Sequence, residues 1–295
     1  MTISVGPVNV LTETVCVESL TDGESIKTGS CVKAADGWNP ISNASPAKAV
    51  CAAMFGIELL SKETFGFLCN LIGEELRNSR RSFAISPEIQ ILVTLRYYAT
   101  GAFQAVIGDH VHVHKSTICR TIKRVSQAIC RLRSQFIDFP RNAEQKNMIQ
   151  TGFFQLRGFP RVIGAVDCTH VKIQSPNANI GERFRNRKGW PGSVHDSTIF
   201  DNSMIRAQFE NNEFGNCFLL GDGGYPCRDY LMTPLLNPYT EPEKRYQRAH
   251  IGTRNVVERM FGVWKRRFPV LALGIRIQLN TAMMTIVATA VLYNF

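Results

Sequence analysis

Two short apolar runs in the second half of the chain each end on an aspartate. Residues 162–166 lead into Asp167, and residues 217–221 lead into Asp222. Runs of this length and composition are typical of strands that are buried in a parallel sheet. Helical patterns lie between and after them, and this order of segments is typical of α/β proteins. The pattern predicts a small α/β layer that carries an acid at the end of each strand.

The first half of the chain has a different character. Residues 1–48 are rich in Ser, Thr, Gly and Asn without a sustained period, which predicts a mostly disordered leader, although residues 5–17 also suit a short strand. Apolar residues then recur at helical spacing, and Ser86-Pro87-Glu88 is a typical helix start. We predict three segments: a leader (1–48), a helical region (49–150) and an α/β domain (151–295).

Composition and charge narrow the classes of partner. The 295 residues carry 34 Lys+Arg against 24 Asp+Glu, a net charge of +10, which indicates an anionic partner. No two of the nine cysteines form a CxxC pair, so a zinc ribbon and a disulfide framework are not predicted. The apolar stretch 283–295 is shorter than the roughly 20 residues that a bilayer crossing needs. We expect an intracellular, soluble protein without a membrane partner.

Residues 77–133 hold ten Lys+Arg and only two Asp+Glu. Within them, residues 103–108 predict a short helix, and a second helix follows that Ser116 or Thr117 can cap. Two short helices joined by a turn are typical of a helix-turn-helix, whose second helix enters the major groove of DNA. An ordinary basic surface helix has the same features, so both interpretations stay open. The candidate DNA contacts here are Lys115, Arg120, Lys123 and Arg124.

Asp167, Asp222 and Glu258 form the candidate acidic site. Phosphodiester hydrolysis requires an activated water and neutralisation of charge on the phosphate, which two Mg²⁺ ions about 4 Å apart can provide. Mg²⁺ prefers carboxylate oxygens, and clustered carboxylates without a cation raise one another's pKa. Each acid also has a structural interpretation. Asp167 could bond a turn, Asp222 could accept from the turn that follows it, and Glu258 could pair with Arg254 one helical turn away.

The residues around the acids carry a resemblance to a known family. The motifs are Gly-Ala-Val-Asp-Cys-Thr-His (164–170), Asn-Arg-Lys-Gly (186–189), Pro-Gly-Ser-Val-His-Asp-Ser (191–197), Leu-Gly-Asp-Gly-Gly-Tyr-Pro (220–226) and Thr-Arg-Asn-Val-Val-Glu-Arg-Met-Phe-Gly (253–262). In this order they resemble the PIF/Harbinger transposases and the Harbinger transposase-derived nucleases of animals. The resemblance covers roughly residues 55–295.

The resemblance implies a fold, a chemistry and partners. It implies a ribonuclease H-like DDE core behind a helix-turn-helix region, with Mg²⁺ or Mn²⁺ held by Asp167, Asp222 and Glu258. Asp196 is a fourth ligand by the same resemblance, or else the N-cap of a helix that runs from residue 198 to 210. Arg187 and Lys188 are candidate phosphate contacts. The implied activity is hydrolysis of DNA, which we expect without transposition, and the implied partner is a Myb-like protein. We expect the protein in the nucleus and also in the cytoplasm.

The chain also departs from the family pattern. Relatives carry about twenty further residues between the Asn-Arg-Lys-Gly and Pro-Gly-Ser motifs, so the resemblance implies a domain that is shortened near residues 189–190 and truncated at its C-terminus. The missing piece corresponds to an edge hairpin of the sheet, and its loss is expected to leave the Asp167 strand as an edge. The alternative function is therefore a catalytically inactive nuclear module that binds DNA or protein.

Overall fold

The computed structural model describes residues 8–15, 28–34, 59–77, 85–174 and 196–295, the first two segments as backbone only. The helices are α1 (Lys62–Leu76), α2 (Pro87–Thr100), α3 (Gln104–His110), α4 (Lys115–Arg131), α5 (Arg133–Phe136), α6 (Ala143–Arg157), α7 (Asp196–Asp201), α8 (Met204–Glu210), α9 (Glu241–Arg267), α10 (Val270–Leu273) and α11 (Leu279–Tyr293). The strands are β1 (Val8–Val15), β2 (Thr28–Ala34), β3 (Val162–Thr169), β4 (Phe218–Leu220) and β5 (Leu231–Met232).

The chain forms two compact units. The sheet unit comprises Met1–Asn39, Ile137–His170 and Asn177–Val263, and the helical unit comprises Pro40–Phe136, Val171–Pro176 and Trp264–Phe295. This division differs from the predicted boundaries of 49–150 and 151–295. Residues 137–150 join the sheet unit, and the last thirty-odd residues join the helical unit, because α11 packs its apolar surface on α4.

The five strands form one sheet in the order β1-β2-β3-β4-β5. β3, β4 and β5 are parallel, whereas β1 pairs antiparallel with β2 and β2 pairs antiparallel with β3. In β3 the first five residues are buried, as expected for a strand that is covered on both faces. The predicted α/β class is confirmed, and the small parallel sheet is consistent with a ribonuclease H-like core.

The Asp167 strand is not an edge of the sheet, so that expectation is wrong. β3 pairs with β4 on one side and with β2 on the other, where Ser30 lies opposite Asp167. Segments of the predicted leader therefore occupy the side that was expected to be uncovered. The interpretation of residues 1–48 as mostly disordered differs from the structure at β1 and β2, and the short strand suggested within 5–17 is found at β1.

Two helices of the sheet unit differ from their predicted bounds. The helix expected over 198–210 is divided into α7 and α8, because Ser203 caps α8 by accepting a hydrogen bond from the Arg206 N–H. The last long helix, expected from about residue 253, begins at Glu241. Its apolar face is buried as predicted: Val257, Met260, Phe261 and Trp264.

The helical unit is built around α2, α4 and α11. The predicted start of α2 is confirmed, since Ser86 caps it and Pro87 occupies the first turn. A buried hydrogen bond of 2.6 Å joins the Tyr98 and Ser126 hydroxyls between α2 and α4. The Cys130 thiol donates to the Met284 carbonyl between α4 and α11. Among the described residues, no helix combines the length and apolar character that crossing a bilayer requires.

Candidate active site and basic helix

The register of the parallel strands brings Asp167 and Asp222 to the same level of the sheet. Ala165 of β3 is paired with Leu220 of β4, and each aspartate lies two residues further along its own strand direction. Side chains two residues apart on a strand point to the same face, and the carboxyl ends of parallel strands share one edge. The sheet therefore gathers two of the predicted acids.

Backbone N–H groups orient both aspartates in the same way. Asp167 Oδ1 accepts a hydrogen bond from the N–H of Cys168 at 2.9 Å, and Asp222 Oδ1 accepts one from the N–H of Gly224 at 2.9 Å. Each carboxylate keeps its Oδ2 directed towards a third residue, Arg254. The turn after Asp222 is tight, since a Cβ on Gly221 would lie 3.1 Å from the Tyr225 ring.

Helix α9 supplies Arg254 and the third acid, Glu258. Arg254 Nη2 lies 3.0 Å from Asp167 Oδ2 and 3.9 Å from Asp222 Oδ2, and Arg254 Nη1 lies 2.8 Å from Glu258 Oε1. The side chain of Arg254 is 13% exposed, against 55% for Glu258. We call these four residues the carboxylate cluster. Its three acids come from three separate segments and meet at one guanidinium.

Burial and neighbouring charges both change pKa values at the carboxylate cluster. Burial raises the pKa of Asp167 above its ordinary value, and the charges of Asp222 and Asp196 raise it further. Arg254 and the Cys168 N–H lower the pKa of Asp167, but burial is the largest influence. Burial also raises the pKa of Tyr225, with Cys168, Asp196 and Asp167 adding to the effect. Asp196 therefore acts electrostatically on the cluster.

The structural interpretations of the acids are also found. Asp222 accepts a hydrogen bond from the turn that follows it, and Glu258 pairs with Arg254. For Asp196, α7 begins at this residue, so the acid lies in the first helical turn and not in front of a helix that starts at residue 198. An acid is favourable in either position, because the helix N-terminus is electropositive.

His250 is a site residue that the sequence analysis missed. It is fully buried on α9 one turn before Arg254, and its Nε2 donates to the carbonyl of Met232 at 3.0 Å. The same carbonyl accepts from the N–H of Gly221 at 2.9 Å, next to Asp222. His250 thereby fixes α9 against the segment that carries Asp222. The signal for it is the spacing of 250, 254 and 258, which places one helix face against the site.

A second group of arginines and acids lies elsewhere in the sheet unit. Arg228 contacts Asp201 at 2.6 Å and Glu210 at 3.0 Å, and Arg206 contacts Glu210 at 2.8 Å and Asp201 at 3.8 Å. The Tyr230 hydroxyl donates to Glu210 at 3.2 Å. We call these five residues the balanced network, because its two guanidinium charges equal its two carboxylate charges.

In the helical unit, α3 and α4 are joined by a short turn as predicted. The turn is tight at Gly108, where a Cβ would lie 2.3 Å from the Val113 carbonyl, and His112 adopts a φ of 51°. The predicted cap of α4 is wrong. His114, not Ser116 or Thr117, is the N-cap, because its Nδ1 accepts from the Ser116 N–H at 3.3 Å.

The four predicted DNA contacts on α4 do not share one environment. Lys115, Arg120 and Lys123 are exposed, and Arg120 donates to the Thr117 hydroxyl. Arg124 is partly buried and donates to the Leu76 carbonyl at 3.1 Å, so it satisfies the C-terminus of α1, and its role as a DNA contact stays a prediction. Arg187 and Lys188 lie outside the described residues.

Comparisons with known proteins relate the chain to a family of endonucleases. Residues 181–294 match the DDE superfamily endonuclease family. The chain is 37% identical over 228 residues to the putative nuclease HARBI1 of Bos taurus and 36% identical to that of Homo sapiens. Each alignment covers 70% of this chain and 65% of the relative. Protein ALP1-like of Arabidopsis thaliana is 21% identical over 253 residues, 70% of this chain and 62% of that protein. No solved structure matches.

Proposed function

Because residues 181–294 belong to the DDE superfamily endonuclease family and the chain is related to vertebrate HARBI1, we propose that it hydrolyses DNA phosphodiester bonds with a divalent cation. The predicted relationship to the Harbinger family is confirmed, and the chain spans 65% of the length of these relatives. One observation carries the proposal: three carboxylates from separate segments meet around Arg254 with two negative charges in excess.

The donor set suits a hard divalent cation. Asp167, Asp222 and Glu258 offer only oxygens, and Asp196 lies close enough for its charge to act on Asp167. Among the described residues no ready-made group of metal-binding side chains is present, and the guanidinium of Arg254 is the cation that contacts the acids. Asp167, Asp222, Glu258 and Asp196 would hold Mg²⁺ or Mn²⁺. When bound, the ion activates water and offsets charge that develops on the phosphate.

The chain's own residues preorganise the site. The N–H groups of Cys168 and Gly224 each fix one oxygen of an aspartate, so the second oxygen is held inward without a conformational search. His250 holds the helix that carries Glu258 against the turn that carries Asp222. Fixing carboxylates in this way before the substrate arrives reduces the reorganisation that catalysis requires.

A plasmid-cleavage assay in Mn²⁺ tests the proposal. We expect Asp167→Asn and Glu258→Gln to abolish cleavage while each variant still binds DNA with the salt dependence of the unmodified chain. Asp138→Asn, in an exposed pair with Arg141, is the matched control and should cleave normally. Equal cleavage by the unmodified chain and both site variants would exclude this active site. Loss of DNA binding in the variants would show that the carboxylates serve the fold and not the reaction.

A second function, a catalytically inactive nuclear module that binds DNA or protein, is favoured by a different observation. Every acid of the cluster already has a hydrogen-bonding or ionic partner within the protein, while α4 exposes Lys115, Arg120 and Lys123. A module of this kind needs the basic helix and does not need the acids. It would bind DNA normally and show no cleavage in Mn²⁺ under any condition.

The basic helix can be tested apart from the acids. Arg120→Ala and Lys123→Ala should each weaken DNA binding and reduce the dependence of log K on log salt by about one, since each removes a phosphate contact. Arg124→Ala is the matched control on the same helix. It should keep the salt dependence and lower the melting temperature, because it releases the Leu76 carbonyl.

The remaining parts of the proposal concern partners and location. We propose that the protein acts in the nucleus, with some in the cytoplasm, and that a Myb-like protein is the partner that reads sequence. The basic run at 265–267 gives little support as an import signal. Burial lowers the pKa of Lys265 and of Arg267, and Arg267 donates to the Leu59 carbonyl at 3.4 Å. Localisation of a fluorescent fusion of the full chain tests this part.

A further inference from the structure

We infer that Arg254 is a displaceable counter-ion: it neutralises part of the carboxylate cluster when no divalent cation is bound, and it competes with that cation for the same oxygens. This inference rests on the proposed function, since it concerns the same cluster. It assigns to Arg254 the role of a positioning residue that sets how tightly the site holds a divalent ion. The argument follows from charge, from hydrogen bonding and from the way each side chain is anchored.

The charge of the cluster is not balanced by Arg254. Three carboxylates meet one guanidinium, and Asp196 adds a further negative charge nearby. Partly buried acids in excess repel one another, and a single guanidinium offsets only one of the three charges. A divalent ion brings twice the charge of Arg254 into the same space. Replacing the Arg254 guanidinium by a divalent ion therefore reduces the repulsion that remains between the carboxylates.

The hydrogen bonding of Arg254 is also incomplete. Its Nη1 contacts Glu258 and its Nη2 contacts Asp167, but the distance of 3.9 Å to Asp222 is too long for a hydrogen bond. Its Nε is buried and has no hydrogen-bond partner among the described residues. Arg228 in the balanced network also contacts two carboxylates, Asp201 at 2.6 Å and Glu210 at 3.0 Å, but it donates in addition to the Tyr230 hydroxyl at 3.3 Å. An arginine whose donors are partly unused loses less when it is displaced.

The aspartates and Arg254 are anchored differently, and this difference allows a divalent ion to replace the guanidinium. Asp167 and Asp222 are short and are fixed by backbone N–H groups. Arg254 is long and is attached to α9, where Glu258 one turn later is more than half exposed. In this proposal the guanidinium moves towards the exposed side of the helix while the aspartates stay in position. The Oδ2 atoms of the aspartates form the site, and the arginine is the group that leaves it.

Isothermal titration of the full chain with MnCl₂, without DNA, tests the inference. We expect Arg254→Gln to bind Mn²⁺ about tenfold more tightly than the unmodified chain, the change that 1.4 kcal/mol of lost competition produces. Arg254→Lys retains the charge but reaches fewer oxygens, so its affinity should lie between the two. Arg228→Gln removes an arginine from the balanced network and should leave the Mn²⁺ affinity within about twofold of the unmodified value.

Each result decides the matter. Unchanged or weaker Mn²⁺ binding by Arg254→Gln overturns the inference, and so does a lack of binding by both proteins. If Arg254→Gln does not fold, as judged by circular dichroism, Arg254→Lys decides instead: tighter Mn²⁺ binding than that of the unmodified chain supports the inference, and unchanged or weaker binding overturns it. Tighter binding with no DNA cleavage in any sample would leave the inference standing and remove the nuclease proposal. DNA cleavage by the unmodified chain, without tighter Mn²⁺ binding by Arg254→Gln, would support the nuclease proposal and overturn the inference about Arg254.

Discussion

Two groups of arginines and carboxylates in the sheet unit are built from the same chemistry and have opposite charge balance. The balanced network sets Arg206 and Arg228 against Asp201 and Glu210, and a tyrosine hydroxyl completes it. The carboxylate cluster sets a single arginine against three acids. The first group needs no further ion to be electrically neutral, whereas the second does.

The difference separates a structural ion-pair network from a candidate site. Buried or half-buried ions are tolerated when each charge is paired and hydrogen-bonded, and the balanced network meets this condition. The carboxylate cluster meets it only in part, and Asp167 has a raised pKa as a result of burial and of the neighbouring acids. The excess of negative charge in a fixed arrangement is the reason for proposing a bound cation at this cluster and not at the balanced network. Each prediction below contrasts the two groups.

The largest expected effect comes from removing one charge in each group. Asp222→Asn should reduce Mn²⁺-dependent DNA cleavage by on the order of 100-fold or more, because a neutral amide oxygen is a poor ligand for a hard cation. Asp201→Asn should leave the cleavage rate unchanged. Single-turnover rates on a plasmid substrate provide the measurement. Similar losses in both variants would mean that the two groups do not differ in function.

The next effect concerns stability in the presence of the ion. At Mn²⁺ about 100 times above its dissociation constant, the folded chain should gain about 2.7 kcal/mol. The melting temperature should then rise by several degrees, given about 2–4 °C for each kcal/mol in domains of this size. The rise should be absent in Asp222→Asn and present in Asp201→Asn, as followed by scanning calorimetry. A rise in both would place the ion elsewhere in the chain.

A smaller effect is expected from breaking the balanced network itself. Arg228→Met leaves Asp201 and Glu210 with Arg206 as their remaining guanidinium partner, and it should lower the free energy of unfolding by more than the loss of an isolated surface pair does. The control is Arg141→Met, which breaks an exposed pair with Asp138 and should cost less than about 0.5 kcal/mol. Urea denaturation of the full chain measures both. Equal losses of unfolding free energy in the two variants would show that the balanced network stabilises the fold no more than an exposed ion pair does.

The smallest effect is a pH dependence that originates beside the carboxylate cluster. Burial lowers the pKa of His250, with Arg254 adding to the effect, and its Nδ1 has no hydrogen-bond partner among the described residues. The folded chain therefore favours neutral His250, while the unfolded chain takes up a proton below pH 6.5. Stability from this residue is complete above pH 6.5 and decreases as pH falls towards the lowered value.

Urea denaturation between pH 7.5 and 5.5 checks this dependence. The unmodified chain and Asp201→Asn should both lose stability over the range, and His250→Gln should show a flatter profile after its lower starting stability is subtracted. The contrast again lies between the two groups, since the balanced network contains no histidine. If Asp201→Asn flattened the pH profile of the unfolding free energy and His250→Gln did not, the pH dependence would originate in the balanced network and this prediction would be wrong.

Much of the candidate site could be predicted from sequence because it follows local rules. Strand-terminal aspartates at the same edge of a parallel sheet, and a glutamate one helical turn from an arginine, are all readable from spacing. The bridging by Arg254 was missed, since pairing with Glu258 already explained that residue. Three acids that converge require a counter-charge, and Arg254 is the nearest cation on the helix. Its contacts with Asp167 depend on tertiary geometry that spacing does not encode.

The fold was less predictable where distant segments meet. Arg124 looks like a DNA contact in sequence, and only the packing of α1 beside α4 shows that it satisfies the Leu76 carbonyl. The pairing of β2 with β3 joins Ser30 to Asp167, and a strand of seven residues carries too little pattern to identify a partner so far along the chain. Helix caps and buried strands can be predicted from a few neighbouring residues. The Arg124–Leu76 contact and the β2–β3 pairing depend on how distant segments are arranged in the fold.

The antiparallel pairing of β2 with β3 has a consequence for how the protein folds. Ser30 must find a partner strand that is synthesised more than a hundred residues later, and closing so long a loop is slow. During synthesis, β2 leaves the ribosome long before β3 exists to receive it. The strand that carries Asp167 should therefore acquire its second neighbour late, so that the acidic centre matures in the final stage of folding.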